Sequence, residues 1–272
     1  MRKIILTFWL AMTALLLSVG SVRAGPYEDG VSALVVEDYA NALKILRPLA
    51  AQGHMSARYW LGTMYYSGNG VPQDYSEAVK WMRLSAEQGY ASAQSLLGSY
   101  YEEGKAVKQD LQEAVKWTRL AANQGNPAAQ VNIGVWYSTG KGVPQDYVEA
   151  IKWHRLAAAQ GYPAAQLKLG VAYFFGNGVP QDYAEAFKWI RLAATQGDTN
   201  GQVAVSALYL EGKGVPQDYV RAHMWINLAA TSGDPAVVKS RDSLAKQMTS
   251  VQIAEAQRMA RECQQLKFKG CE

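Results

Sequence analysis

The sequence predicts an all-α protein, a right-handed α-solenoid of about six helix-turn-helix repeats with a capping helix at each end. The hexapeptide GVPQDY occurs four times, at 70–75, 142–147, 178–183 and 214–219, and these copies are separated by multiples of 36 residues. Aspartate, tryptophan and glycine recur with the same period. Such a period is typical of helical repeat arrays, whose units must stack because no single unit can bury its own apolar face.

The recurring residues fix the register of the repeat. The aspartates are Asp38, Asp74, Asp110, Asp146, Asp182 and Asp218. The tryptophans are Trp81, Trp117, Trp153, Trp189 and Trp225, and the glycines are Gly53, Gly89, Gly125, Gly161, Gly197 and Gly233. A degraded hexapeptide at 106–111 completes the series.

Each unit is predicted to contain two helices. Asp74 precedes a helical pattern and Glu77 follows three positions later, which is a capping-box arrangement. Ala78 and Trp81 lie on one apolar stripe, and Gly89 ends the helix. The next helix opens with a short cap, best seen at Asn126-Pro127 and Asp234-Pro235, and a glycine- and proline-rich loop closes the unit.

The domain organisation follows from this register. We expect a signal peptide over 1–24, an N-terminal capping helix over 25–36, the repeat solenoid over 37–250, and a C-terminal capping helix and tail over 251–272. Thr249 or Ser250 is placed to cap the last helix.

The first 24 residues have the pattern of a secretory signal. A basic start is followed by sixteen mainly apolar residues, Ile4 to Val19, and then by Val22-Arg23-Ala24. An uncleaved membrane anchor is the alternative, but sixteen residues fall short of the roughly 20 that span a bilayer. We expect cleavage near Ala24, no stable membrane insertion afterwards, and a periplasmic or secreted mature protein.

The charge balance gives no case for nucleic-acid binding. The signal segment carries three of the 27 basic residues and no acidic residue, which leaves 24 basic against 23 acidic side chains. Nucleic-acid affinity rests on neutralising several phosphates, so this class of partner is not expected.

Cys263 and Cys271 are the only cysteines in the sequence. An oxidising compartment allows them to pair. A disulfide that closes a small C-terminal tail is the leading interpretation, with an intermolecular bridge as the alternative. Their spacing is not that of a C-x-x-C redox site.

The repeat resembles the Sel-one-like repeat, a relative of the tetratricopeptide repeat. The resemblance rests on the 36-residue unit with Asp-Tyr-x-Glu-Ala, Lys-Trp-x-Arg-Leu-Ala-Ala, Gln-Gly and Ala-Gln-x-x-Leu-Gly-x-x-Tyr, over about residues 35–250. It implies an adaptor that binds proteins on a concave surface. Some secreted, cysteine-rich relatives are linked to β-lactams, but this chain has no cysteine inside any repeat.

The sequence offers no catalytic, cofactor or metal site. His54, His154 and His223 occupy three different repeat positions and lack ligand partners at metal spacing. The Gly-x-Gly turns recur at the helix-pair junctions without a preceding strand, so they indicate tight loops. The repeated Asp/Glu pairs suit helix capping, and the five periodic tryptophans suit the core.

Two basic columns are the candidate partner-binding groove, because first helices usually line the inside of such superhelices. The columns comprise Lys80, Arg83, Lys116, Arg119, Lys152, Arg155, Lys188 and Arg191. The partner is expected to be a protein or peptide segment. An acidic segment would suit the arginines, because arginine binds carboxylates with two parallel hydrogen bonds. The alternative is that these residues only form helix-surface pairs with nearby glutamates.

Residues that differ between repeats are expected to set specificity. They are Met82, Thr118, His154, Ile190, Ser76, Gln112, Val148 and Ala184. Trp60 and Trp136 stand where other repeats have different residues, and we expect them to be exposed anchors.

The sequence therefore predicts a secreted or periplasmic adaptor. Two other hypotheses stay open: a binder or enzyme acting on β-lactams or peptidoglycan, and a structural spacer in an envelope assembly.

Overall fold

A computed structural model describes residues 25–268 and 270–271 of the chain. The predicted signal segment, 1–24, lies outside the described residues. The described part is all-helical, which confirms the predicted fold class of stacked helical repeats. It divides into two compact units, one ending at Tyr90 and one beginning at Ala91.

The first unit contains four helices. They are α1 (Pro26–Val35), α2 (Tyr39–Ala51), α3 (Met55–Ser67) and α4 (Tyr75–Glu87). Each helix packs on the next along the chain. The fully buried side chains at the centre are Leu46, Leu61, Met64 and Met82.

The second unit continues the same alternation over ten helices. They are α5 (Ala91–Glu103), α6 (Leu111–Asn123), α7 (Pro127–Thr139), α8 (Tyr147–Ala159), α9 (Pro163–Phe175), α10 (Tyr183–Ala194), α11 (Thr199–Glu211), α12 (Tyr219–Ala229), α13 (Pro235–Ala245) and α14 (Ser250–Gln265). The closest packing joins the two helices on either side of the degraded loop and of each proline-containing loop. Its largest fully buried side chains include Leu97, Ile133, Leu169 and Trp225.

The periodic aspartates cap helices as predicted. Asp74 Oδ1 accepts hydrogen bonds from the backbone N–H groups of Ser76 and Glu77, at 2.8 and 3.0 Å. The other five aspartates of the series also accept from a backbone N–H in the first turn. Each cap satisfies donors that the helix itself leaves unpaired.

A glutamine precedes every aspartate of the series except Asp38, and it ties the loop to the preceding helix. Gln145 Nε2 donates to the Ser138 carbonyl at 2.8 Å, and the Asp146 N–H donates to the Tyr137 carbonyl at 2.8 Å. The other proline loops and the degraded loop carry the same two bonds. This explains why Gln-Asp survives in the degraded copy, where the glycine and proline are lost.

A second glutamine series links neighbouring repeats. Gln94, Gln130, Gln166 and Gln202 are buried. Gln124 donates to Gln94 Oε1 at 2.7 Å, and Gln160 and Gln196 bond in the same way to Gln130 and Gln166, at 2.9 and 2.8 Å. Because buried amides need partners, these pairs hold the repeats of the second unit in register.

Two other predicted features lie at the C-terminal end of the chain. Thr249 caps α14 through a capping box with Gln252. Cys263 and Cys271 are joined by a disulfide, with their Cα atoms 5.2 Å apart. Among the described residues, no helix is both long and apolar enough to cross a membrane.

Two left-handed glycines in the second unit provide a matched test of loop packing. Gly161 and Gly178 have φ values of 80° and 75°. A Cβ on Gly161 would meet nothing within 4 Å, whereas a Cβ on Gly178 would clash with the Tyr147 carbonyl oxygen. Gly161→Ala should lower the free energy of unfolding by about 1 kcal/mol, the cost of a left-handed non-glycine residue. Gly178→Ala should lower it by about 2–4 kcal/mol, because overpacking adds to that cost.

Urea denaturation of both variants measures this difference. Equal losses would show that the loop does not approach the Tyr147 backbone closely.

Candidate partner-binding surface

The lysines of the basic columns are each balanced by a carboxylate. Lys80, Lys116, Lys152 and Lys188 pair with the glutamate three positions earlier, at 2.9, 2.8, 2.7 and 3.0 Å. Their side chains are 57–63% exposed. Exposed pairs of this kind contribute little to stability, but they offset most of the positive charge of the lysine column.

The same glutamates hold the tryptophans in place. Glu113 accepts from Trp117 Nε1 at 2.9 Å, and the equivalent bonds of Trp81 and Trp189 measure 3.0 and 3.1 Å. These carboxylates point along the helix and not back to its N-terminus. In the predicted capping boxes of these helices, the aspartate therefore accepts its backbone hydrogen bond, but the glutamate does not bond to the aspartate backbone. Trp153 is the exception, since its Nε1 is buried without a hydrogen-bond partner.

Two arginines of the basic columns contact tyrosines. Arg119 donates to the Tyr137 hydroxyl at 2.8 Å and Arg155 donates to the Tyr173 hydroxyl at 3.1 Å. In the described part of the chain, neither guanidinium has a carboxylate within 4.0 Å, and both side chains are exposed. Most of their N–H donors are therefore available to a carboxylate from outside.

We call the lysines and arginines of α6, α8 and α10, together with Tyr137 and Tyr173, the ladder face of the second unit. Lys80 and Arg83 belong to the first unit. The second unit brings together Lys116, Arg119, Lys152, Arg155, Lys188 and Arg191 on three successive ladder helices.

The ladder face ends where the C-terminal helix covers it. Helix α14 packs on α12, the helix in which Met224 replaces the ladder lysine. Met224 and Leu228 are 1% and 2% exposed. The leucines at the position of Leu228 in the three preceding repeats are 40–51% exposed: Leu120, Leu156 and Leu192. Met224 also lines a cavity with Met259 and Cys263 of α14.

Four of the residues expected to set specificity are buried, so that expectation is wrong for them. Met82, Thr118, His154 and Ile190 are at most 4% exposed. Each lies over a glycine of the facing helix, as His154 lies over Gly134, where a Cβ would come within 2.5 Å of the imidazole Nε2. They fill a helix crossing and cannot contact a partner. The other four, Ser76, Gln112, Val148 and Ala184, are exposed.

Trp60 and Trp136 are not the exposed anchors that the sequence predicts. Trp136 is 3% exposed and donates to Glu102 Oε1 at 3.1 Å. Trp60 is half-buried and donates to the Tyr27 hydroxyl at 3.1 Å.

The described residues contain no group of three or more histidine, cysteine, aspartate or glutamate side chains able to hold a metal ion. His54 accepts from the Ala57 N–H at the start of α3 and stacks on Tyr27 at 4.6 Å. His154 and His223 are buried between helices.

Comparison with known proteins places the repeats in a family. A sequence profile of the Sel1 repeat, the Sel-one-like unit, matches residues 21–54, 56–90, 91–126, 127–162, 163–198 and 200–234. The structure of c5321, a protective antigen present in uropathogenic Escherichia coli strains and displaying an SLR fold, is similar to this chain at 36% identity. Its TM-score is 0.74, over 87% of this chain and 53% of c5321.

A Sel1 repeat protein from Oxalobacter formigenes is similar at 32% identity and a TM-score of 0.75, over 80% of this chain and 87% of that protein. The chain spans about half the length of the E. coli protein. No curated protein matches the sequence.

The profile shifts the repeat boundaries that the sequence predicted. Its second unit, 56–90, runs from α3 to α4, so the ladder helix is the second helix of the profile unit and not the first. First helices are the ones expected to line the inside of such a superhelix, so this register gives no reason to place the ladder there.

His154 should make the stability of the protein depend on pH. The pKa of His154 is lowered from 6.5 to about 4, mainly by burial. The positive charge of Lys168 also lowers this pKa, and a hydrogen bond with the Val131 backbone partly opposes the shift. The unfolded chain takes up a proton near pH 6.5 and the folded chain does not, so stability should fall as pH drops from 6.5 toward 4. The loss is at most about 3 kcal/mol.

The matched control is His154→Ile, because Ile190 fills the same position over Gly170 in the next repeat. Urea denaturation across this pH range should show a shallower pH dependence for the variant than for the natural chain. Parallel curves would contradict the depressed pKa of His154.

Proposed function

The chain belongs to the Sel1 repeat family, whose members are generally protein–protein interaction scaffolds, and we propose that it is an exported scaffold that binds a partner protein through its ladder face. The observation that carries the choice of surface is the exposed pair of arginines, Arg119 and Arg155. Each is oriented by a tyrosine hydroxyl and lacks a carboxylate.

The chemistry of these arginines favours an acidic segment of the partner. A guanidinium held by one hydrogen bond loses less conformational freedom on binding, which reduces the cost of ordering it. Its remaining donors match the two oxygens of a carboxylate. The lysines beside them are already paired with glutamates. Arg119 and Arg155 are therefore the cations on this surface whose N–H donors have no carboxylate partner among the described residues.

Export is supported by two features of the chain. Residues 1–24 have the order of a secretory signal, with a basic start, an apolar stretch and a small-residue end. The Cys263–Cys271 disulfide suits an oxidising compartment such as a periplasm or the extracellular space. The related E. coli protein is a protective antigen, a property that suits a protein outside the cytoplasm.

Charge reversal at Arg119 and Arg155 tests the proposed surface. Residues 25–272, immobilised as bait, should retain a partner from an envelope extract, and the partner is identified and purified for direct titration. Arg119→Glu/Arg155→Glu should weaken its affinity by about tenfold or more, since buried interfacial arginines are frequent hot spots. Both positions are exposed, so circular dichroism should be unchanged.

The matched control is Lys239→Glu/Lys246→Glu, which changes the net charge equally at two exposed lysines away from the ladder face. Equal weakening by both double variants would show that only net charge matters. Unchanged affinity of the arginine variant would move the site elsewhere, and a bait that captures nothing would contradict the scaffold function.

A further inference from the structure

Two clefts of similar size lie on either side of helix α9, and they differ in chemistry. The first, which we call the polar cleft, has a volume of about 170 Å³ and is lined by Ser138, Tyr147, His154, Lys168, Asn177 and small apolar side chains. The second, the apolar cleft, has a volume of about 160 Å³ and is lined by Phe174, Phe175, Ile190, Ala204, Ala207 and Leu208, with Glu211 at its edge. Val171 of α9 lines both.

The polar cleft presents hydrogen-bond donors and has no acidic residue in its lining. Lys168 is exposed and, among the described residues, has no carboxylate within 4.0 Å. The Tyr147 hydroxyl accepts from Gln145 Nε2 at 3.0 Å, which leaves its own proton free to donate. Asn177 adds an amide. The unpartnered Nε2 of His154 lies against Gly134, so this ring forms the floor and is not a ligand.

The apolar cleft suits one large apolar side chain. Its volume is close to that of an engineered protein cavity of about 150 Å³ that binds benzene. Phe175 is 63% exposed and meets Phe174 edge to face, with ring centroids 4.9 Å apart. Exposed aromatic rings beside a small apolar cleft are typical of anchor sites in interfaces.

Packing that is common to all repeats does not require the Phe175 and Lys168 side chains. The positions equivalent to Phe175 are occupied by Ser67, Glu103, Thr139 and Glu211. Those equivalent to Lys168 are occupied by Trp60, Leu96, Asn132 and Ala204. The ladder positions, in contrast, repeat almost unchanged. The polar and apolar clefts are therefore particular to the α7–α11 region.

We propose that an extended segment of a partner protein crosses α9, placing an acidic side chain in the polar cleft and an aromatic or large aliphatic side chain in the apolar cleft. Val171 lines both clefts, so they lie on opposite sides of one helix, whose diameter with side chains is about 10–12 Å. In a polyproline-II segment, residues three apart lie on one face and about 9 Å from each other. The two anchor residues should therefore be separated by two others.

This inference rests on the proposed scaffold function and adds a second surface with a defined ligand chemistry. Labelled peptides with glutamate and phenylalanine joined by one, two or three prolines, in both orders, are suitable probes of the full chain 25–272. Fluorescence polarisation gives the affinity, and amide chemical shifts locate the site. One of the two-proline peptides should bind at least about fivefold more tightly than either of the other spacings.

Two single variants test the clefts separately. Lys168→Glu should weaken the best peptide by about tenfold or more through like-charge repulsion. Phe175→Thr, which installs the residue of the preceding repeat at an exposed position, should weaken it by a similar factor through loss of the aromatic anchor. Both variants should unfold at the same urea concentration as the natural chain.

The ladder variant Arg119→Glu/Arg155→Glu separates this inference from the proposed function. It should bind the peptide as the natural chain does. The two-cleft site is overturned if no peptide shifts the amides of α7, α9 and α11 at millimolar concentration, or if binding survives both cleft variants. Binding that is lost only in the ladder variant would also overturn it and would assign the peptide to the ladder face.

Discussion

The close crossing of the two helices that flank each Gln-Asp loop is the constraint on which the rest of the structure depends. Glycines at one position of the first helix of each crossing, Gly62, Gly98, Gly134 and Gly170, bring the helix backbones together. In the last crossing Ser206 stands there, and its hydroxyl donates to the Ala222 carbonyl at 2.8 Å. A side chain from the facing helix covers each glycine and becomes the centre of the repeat. With these side chains packed in the crossings, the ladder residues lie at the surface, and clefts remain between successive glycine-bearing helices.

Features fixed by bonds along the chain could be predicted from the sequence. The aspartate caps, the left-handed glycines that end helices and the 36-residue period all depend on residues a few positions apart, so the sequence spacing specifies their geometry. The capping box shows where this reasoning fails. Glu113 has the right spacing to reach back to Asp110, but the Trp117 indole N–H and Lys116 compete for its carboxylate and hold it. A local pattern could not show which partner prevails.

Features that depend on the angle at which helices meet could not be predicted. The periodicity placed His154 beside the ladder, but its side chain lies in the crossing because Gly134 leaves space there. Trp136 is buried for a related reason, since its indole reaches Glu102 of the preceding repeat. The loss of the ladder lysine at Met224 was visible in the sequence, yet its cause is tertiary: α14 packs over that position. One signal was available and missed, namely the buried glutamine series that joins the repeats.

The two surfaces differ in what they can contribute to recognition. Each complete ladder helix carries a capping aspartate, a glutamate, a lysine and an arginine, so its charges nearly balance. A surface that repeats unchanged offers the same contact several times, which favours capture of any acidic segment over discrimination among such segments. The clefts beside α9 have the opposite character, because their side chains occur once and combine a cation with an aromatic anchor. Specificity is a difference in affinity between partners, and side chains that differ between repeats are the ones suited to create it, among them Lys168 and Phe175 of the proposed cleft site.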